Sequence, residues 1–321
     1  MEAQNLLGKV PSQNTFFSGL LEVIFLITYT VYTYIHLVYR WIRPRRLKSL
    51  DGEVFLITGS ASGIGREVVY NLATNHPRTI LVLWDSNESA NQHIVDAVKL
   101  LGVEVFSYTV DVTNREEVEE CARRVFDEVG FVSRLFNNAG VVGLGDLLSQ
   151  TPEKIEKTMD VNVLSHFWIL RSFLPQMIEN LDGHIITTCS LAGHIGLPYD
   201  VPYAASKFAV RGYIESVKAE MRLHPLKPKI RFTTIYPSFV NTPLISRVVY
   251  KFKMQFLFNP LEPRYVAEKI VEGVRRNEEE VFVPRIGEFL VFLKGIMPKR
   301  AFQKLSDSMI ESLYFKEEKV Q

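Results

Sequence analysis

The sequence is poor in the residues that build cross-linked or metal-held scaffolds. It has two cysteines in 321 residues, Cys121 and Cys189. They lie far apart and fit no metal-ligand spacing, which argues against a disulfide framework and fits a reducing, cytosol-facing compartment. Neither an HExxH nor a paired CxxC motif occurs, so no metal site is expected. Charge of one sign is also missing. With 37 Lys and Arg against 36 Asp and Glu, the formal net charge is +1, and nothing marks a nucleic-acid partner. No repeat or low-complexity segment interrupts the chain. What it has in quantity is hydrophobic residues, 47%, enough for a well-buried core in one large domain or two small ones.

One long apolar run stands apart from that core. Phe16 to Tyr39 is apolar and aromatic, broken by Glu22 and His36, and Arg40, Arg43, Arg45, Arg46 and Lys48 follow it. A membrane-spanning helix needs about 20 mostly apolar residues. The length of the run, and a basic cluster where a small-residue cleavage site would stand, set it apart from a signal peptide. The alternative is a buried core helix. A retained anchor fits better, with the basic flank and all that follows on the cytosolic side. Glu22 is costly at bilayer depth, and Tyr29, Tyr32, Tyr34, Tyr39 and Trp41 favour headgroup depth. Spanning and one-leaflet insertion therefore both fit. Residues 1–50 are read as anchor and basic linker, and the compact domain begins at 51.

From there, short apolar runs alternate with amphipathic stretches. Strands are expected at Val54–Thr58, Thr79–Trp84, Val103–Tyr108, Arg134–Asn137, His184–Cys189, Ile230–Ile235 and Val281–Val283. Helices are expected at Gly63–Ala73, Ala90–Leu101, Arg115–Val129, Pro152–Pro175, Tyr203–Arg222 and Arg264–Arg275. Alternating strands and helices imply a doubly wound α/β fold, a parallel sheet with helices on both faces. The unbroken apolar character of Val54–Ile57 and Ile80–Leu83 suits strands buried on both sides.

Two segments carry chemistry. Thr58-Gly59-Ser60-Ala61-Ser62-Gly63-Ile64-Gly65 joins the first strand to the first helix of this domain. Glycines in such a turn let backbone N–H groups approach a pyrophosphate at the positive end of the helix. Gly59, Ser60, Ser62, Gly63, Ile64 and Gly65 are the candidate cradle, against the plainer reading of a tight strand-to-helix corner. Asp85 ends the second strand, where a carboxylate accepts hydrogen bonds from the adenosine ribose diol and repels a 2′-phosphate. No arginine follows it, so NAD is expected in preference to NADP. The second segment is Tyr203-Ala-Ala-Ser-Lys207 with Ser190 upstream. Tyr203 and Lys207, four residues apart, share a helix face. A cation beside a phenol favours the phenolate and moves it toward a useful range for acid–base work. Lys207 is also placed to hold the nicotinamide ribose. Ser190 can donate to a substrate oxygen as charge develops there. Alone, the Tyr/Lys pair is as well explained by a surface helix; Ser190 and the glycine turn make it chemical.

These motifs, in this order, resemble the short-chain dehydrogenases/reductases over about residues 51 to 284. The resemblance rests on Thr58–Gly65, Asp111-Val112-Thr113, Asn137-Asn138-Ala139-Gly140, Asn162, Ser190, Tyr203 with Lys207, and Pro237 through Thr242. It implies a Rossmann-type seven-stranded parallel sheet and a dimer or tetramer, here expected as a homodimer. It also implies a catalytic tetrad of Asn162, Ser190, Tyr203 and Lys207, with the Asn162 backbone placing a water that relays protons through Lys207. Asp111 and Val112 would flank the adenine, Asn138 would support cofactor and sheet, and Val240 and Thr242 would meet the carboxamide end of the nicotinamide. Ser238 departs from the family, which commonly has glycine after Pro237.

The N-terminal run, the basic linker, Leu83-Trp84-Asp85, His166-Phe167-Trp168 and Phe239-Val240-Asn241-Thr242 resemble one branch more closely. It contains membrane- and lipid-droplet-associated 17β-hydroxysteroid dehydrogenases (types eleven and thirteen) and epidermal retinol dehydrogenases. It implies a lipophilic alcohol substrate (steroid, retinol or related lipid) and an endoplasmic reticulum or lipid-droplet surface. The alternatives are an NADPH-linked carbonyl reductase and a non-catalytic lipid-surface scaffold.

Residues 240–262 are expected to form a substrate lid, with the apolar Leu244–Phe258 lining a pocket, touching lipid or forming an ordinary core helix. Residues 286–321 are expected as an amphipathic, membrane-contacting tail, loose over its charged end Tyr314–Gln321. Asn87-Glu88-Ser89 is a glycosylation sequon that stays silent on the cytosolic side.

Overall fold

The computed structural model describes residues 15–43, 45–245, 248–252 and 259–315. The chain divides into two units, 1–46 and 47–321. In the first, helix α1 (Thr15–Ile42) is 28 residues long, about 42 Å at 1.5 Å per residue. Its Ser18–His36 stretch is long and apolar enough to cross a membrane by length and composition, and none of it is covered by protein; Phe25 is 64% exposed. The hydroxyls of Thr28, Thr30 and Thr33 donate back to carbonyls one turn earlier, at 2.7–2.9 Å. Such bonds satisfy these three hydroxyls without water.

The second unit is built on a seven-stranded parallel sheet in the order β3-β2-β1-β4-β5-β6-β8. The strands are β1 (Val54–Thr58), β2 (Ile80–Asp85), β3 (Glu104–Thr109), β4 (Arg134–Asn137), β5 (Asp182–Thr188), β6 (Lys229–Pro237) and β8 (Glu280–Val283). All of β1 and β4 is buried, as parallel strands covered on both faces must be. On one face lie α2 (Gly63–Asn75), α3 (Glu88–Lys99) and α8 (Pro263–Arg276), through Val69, Leu72, Val98 and Ile270. On the other lie α4 (Arg115–Glu128), α6 (Ser165–Glu179) and α7 (Val201–Leu223), through Val125, Ile169, Phe173 and Ile214. Helix starts follow side-chain caps: Asn87 accepts from Ala90 N at 3.0 Å, and Asn114 from Glu116 N and Glu117 N at 3.1 and 3.2 Å. The doubly wound sheet with an N-terminal apolar helix is the expected fold, with strand and helix ends displaced by a residue or two.

Three segments show detail beyond the expected elements. The helix expected over 152–175 is split into α5 (Pro152–Met159), a π turn over Asp160–Leu164, and α6. A five-residue π turn is shorter than the stretch over which hydropathy periodicity is read. Among its described residues the lid region contains a short 3-10 turn, Pro243–Ile245, and strand β7 (Val248–Phe252). Strand β7 pairs antiparallel with β9 (Ile310–Phe315), so Tyr314 and Phe315 are ordered in a ribbon. Residues 246–247, 253–258 and 316–321 lie outside the described ones. Finally, the segment expected as a tail contains α9 (Ile286–Ile296) and α10 (Lys299–Met309), within the unit 47–321.

Two core histidines depend on being neutral. His184, fully buried, shares a 2.8 Å hydrogen bond between Nε2 and Thr233 Oγ1, and that hydroxyl donates to Glu278 O at 2.6 Å. His184 Nε2 must therefore donate, leaving Nδ1 as the acceptor that faces Lys48 Nζ at 3.5 Å. Burial, then Lys48, holds its pKa well below the ordinary value. Burial pushes His166 down to about 3. In the unfolded chain both titrate near 6.5. Protons then bind the unfolded state first as pH falls below about 6.5, each histidine weakening the fold by up to ~1.4 kcal/mol per pH unit. Asp200, pushed up to about 7 by burial, opposes this by one proton. Urea unfolding of the chain from pH 7.5 to 5.5 should show stability falling with pH; a rise would contradict the neutral assignments.

Candidate active site

The first carboxyl-end crevice lies between β1 and β4, where the strand order reverses, the place where open α/β sheets bind ligands. Asn138 closes it from beneath. Its amide donates to Thr58 O and Gly59 O at 3.1 and 3.3 Å, and its carbonyl accepts from Thr188 Oγ1 at 3.1 Å. Thr58 Oγ1 accepts in turn from the N–H groups of Asn138 and Ala139, both at 3.0 Å. The ends of β1, β4 and β5 are thereby locked to each other.

The glycine turn sits on this lock. Gly59 and Gly63 have φ of +64° and +53°, the left-handed region that favours glycine. A Cβ at Gly65 would lie 2.1 Å from Gly59 O and 2.7 Å from Asn138 Nδ2, so only hydrogen fits between helix and strand. Ser62 is the N-cap of α2 and makes no side-chain cap bond. The first N–H groups of α2 are therefore unspent and open on the cavity lined by Ser62, Gly63 and Ile64. Such a cradle fits a dinucleotide pyrophosphate. Ser60 does not face the cavity. Its hydroxyl donates inward to Trp84 O and Asn91 Oδ1 at 3.2 and 2.8 Å, and it is fully buried. Its part is to hold the turn against β2. Asp85 accepts from Ala61 N and Asn87 N, both at 2.9 Å, which fixes its carboxylate at the end of β2. Asp111 binds its own turn, accepting from Thr113 N and Oγ1 at 3.0 and 2.8 Å; Val112 next to it is buried.

Ser190, Tyr203 and Lys207 converge on a single cavity of about 400 Å³ together with Gly59, Asn138, Val240 and Thr242. Lys207 is 3% exposed. Its Nζ donates to Thr188 O at 3.0 Å and stands 5.5 Å from the centre of the Tyr203 ring. Burial lowers the Lys207 pKa, while Cys189 and Asp200 support the ammonium. Ser190 Oγ accepts from Ala192 N at 3.1 Å. Asn162 lies in the π turn, completely buried. Its amide pairs with both the N–H and the carbonyl of Val141, at 2.8 and 2.9 Å, and donates to Ser206 Oγ at 3.0 Å. π turns recur at functional sites. Asn162 and Lys207 both border Gly140: a Cβ there would meet Asn162 Oδ1 at 3.4 Å and Lys207 Nζ at 3.9 Å. Ser238 is accommodated where the family commonly has glycine, since it is not among the positive-φ residues and its N–H donates to Val283 O at 2.8 Å.

Most of the remaining wall is apolar: Val142, Leu144, Ile195, Leu197, Phe239 and Leu244, with Leu290 and Phe302 from α9 and α10. Sequence missed the last two and Asp200, which also lines the cavity. Only the amphipathic pattern of 289–302 pointed toward a buried face, and pattern alone cannot say what that face covers.

A glycine cradle on a helix N-terminus, joined in one cavity to a tyrosine, a buried lysine and a serine, defines a Rossmann-type oxidoreductase that uses a nicotinamide dinucleotide. Comparison with known proteins agrees. The short chain dehydrogenase family model matches residues 53–251, and the chain belongs to that family. It is therefore an NAD(P)-dependent oxidoreductase acting on CH–OH groups. Human 17-beta-hydroxysteroid dehydrogenase 13 is 37% identical over 88% of this chain and 91% of its own length. Human estradiol 17-beta-dehydrogenase 11 is 38% identical over 80% of this chain and 83% of its own length. A short-chain dehydrogenase/reductase from Burkholderia phymatum, solved in complex with NAD, matches with a TM-score of 0.69 at 26% identity over 80% of this chain and 96% of that one.

The close contact at Gly65 is testable against a helical glycine with open space around it. Gly65→Ala should abolish calorimetric NAD binding or lower stability by roughly 1–3 kcal/mol. Gly212→Ala, with nothing within 4 Å of the added carbon, should be neutral or stabilising by up to ~1 kcal/mol. Equal effects would remove the cradle argument.

Proposed function

We propose that this protein is a membrane-anchored, NAD-preferring dehydrogenase that oxidises a lipophilic alcohol (a steroid, retinol or related lipid), reversibly, at the cytosolic face of the endoplasmic reticulum or of lipid droplets. The observation that carries this is the cavity itself. It joins groups suited to a dinucleotide and a reacting oxygen to many large apolar side chains. Binding there favours a molecule with an apolar body and one polar end. The names of the relatives, both dehydrogenases of 17β-hydroxysteroids, support the steroid member of that class.

Within this reading Gly59, Ser62, Gly63, Ile64 and Gly65 hold the pyrophosphate, and Asp85 takes the adenosine ribose. Both oxygens of Asp85 already accept backbone N–H bonds, so the carboxylate is oriented, keeps lone pairs for ribose hydroxyls, and repels a 2′-phosphate. Asp111 and Val112 border the adenine, and Val240 and Thr242 the carboxamide. Bound in this cradle, the nicotinamide supplies the two-electron acceptor for the carbinol hydrogen. The protein supplies the proton path. Tyr203, as phenolate, takes the hydroxyl proton, and the Lys207 ammonium stabilises that phenolate. Ser190 spends a lone pair on Ala192 N, which leaves its proton for the substrate oxygen. Asn162, across Gly140 from Lys207, anchors the relay that returns the proton to solvent.

Helix α1 supports the anchor: its uncovered apolar surface and internally bonded threonines suit lipid. The basic residues after it favour the cytosolic side.

Tyr203→Phe should lower kcat with NAD and a lipophilic alcohol by roughly a hundredfold or more while NAD affinity stays within about threefold, as a role confined to proton transfer requires. Retained turnover would end the assignment. Asp85→Ser should relax the preference for NAD and improve use of NADP; an unchanged ratio of the two kcat/KM values would favour an NADPH-linked reductase instead.

A further inference from the structure

Asp200 is the N-cap of α7, and an aspartate there ordinarily accepts from the N–H of the second or third helical residue. Here it does not cap. The second helical residue is Pro202, which has no N–H, and the Asp200 side chain makes no cap bond. The residue is 4% exposed, its Oδ1 has no hydrogen-bond partner, and it lines the cavity. The chain is bent to put it there. Tyr199, just before, holds φ at +61°, and its carbonyl accepts from Gly145 N at 2.9 Å. Left-handed backbone at a non-glycine residue costs on the order of 1–3 kcal/mol and collects at ligand sites.

Among the described residues that line the cavity, the charged ones are Asp200 and Lys207. Lys207 is committed to Thr188 O and to Tyr203. Burial raises Asp200 to about 7, with Lys207 only partly opposing, the behaviour of a carboxyl that the protein leaves undersupplied with donors. The same cavity is lined by the apolar Ile195, Leu197 and Leu144. A buried acceptor in an apolar wall is costly when empty and favours a ligand that brings a donor.

We propose that Asp200 is a specificity-determining residue: among lipophilic alcohols it selects those that carry a second hydroxyl, by accepting a hydrogen bond from it. This rests on the lipophilic-alcohol reading above. It separates from that reading because it is tested by binding, whereas the reading is tested by turnover.

The experiment titrates the full chain, in detergent with NADH present, with dodecanol, the vicinal dodecanediol and the α,ω-dodecanediol. At least one diol should bind about tenfold or more tightly than dodecanol, the strength of a hydrogen bond to a charged acceptor. Asp200→Leu should erase that advantage, and Asp200→Asn, which keeps an acceptor oxygen, should retain part of it. Equal affinity of the three probes for the wild-type chain overturns the proposal whether or not the variants fold. So does a diol advantage that survives Asp200→Leu in a protein of unchanged melting temperature. Failure of the wild-type chain to reduce NAD with any alcohol, alongside an intact diol preference, would instead overturn the dehydrogenase reading.

Discussion

The Asn138 side chain is the tie on which the rest of the site depends. One amide bonds the last carbonyls of β1 and the hydroxyl at the end of β5, and Thr58 returns bonds to the two residues after β4. Parallel strands end in unpaired backbone groups, and a buried unpaired group is expensive. Here those groups are bound to one another, so three strand ends share a rigid frame. The glycine turn leaves from one of them and the Ser190 loop from another. Lys207 reaches the same frame through Thr188 O, which holds the cation beside Tyr203 without help from a ligand. Preorganisation of this kind is what a proton-transfer site requires, since its groups must be aligned before charge develops.

The polar frame is enclosed by apolar walls drawn from distant parts of the chain. The β4–α5 loop contributes Val142 and Leu144, the β5–α7 loop Ile195 and Leu197, the segment after β6 Phe239 and Leu244, and the C-terminal helices Leu290 and Phe302. Removing water from around the tyrosine and lysine strengthens their electrostatic coupling. The same removal penalises any charge left alone. Asp200 carries that penalty within the wall, and His166, buried outside the cavity lining, escapes a similar one by staying neutral. Burial thus sorts these ionisable groups by whether a partner is in reach.

The sheet was legible because each buried parallel strand is a short apolar run bounded by turn residues; β1 and β4 match residue for residue. Site residues close in sequence were legible for a similar reason. The glycine turn is one contiguous segment, and the Tyr203–Lys207 pair follows helix periodicity. Less could be read where chemistry depends on side-chain direction. Ser60 sits inside the glycine motif yet turns its hydroxyl to Asn91. The π turn at Asn162 is five residues long, too short for a periodic pattern to register. The β7–β9 ribbon pairs segments some sixty residues apart in the chain, and no local pattern records such a partner.

By itself the sequence determined the doubly wound sheet, the long apolar N-terminal helix, and the set of groups able to bind a dinucleotide and move a proton. These follow from local periodicity and from motifs a few residues long, where geometry is dictated by helix and strand repeat. Only the tertiary structure decided which surfaces close the pocket and which polar groups inside it stay unpaired. That is why α9 and α10 became walls and Asp200 became a buried acceptor: burial and hydrogen-bond satisfaction are properties of what arrives from elsewhere in the chain, and no residue's own neighbours in sequence can specify them.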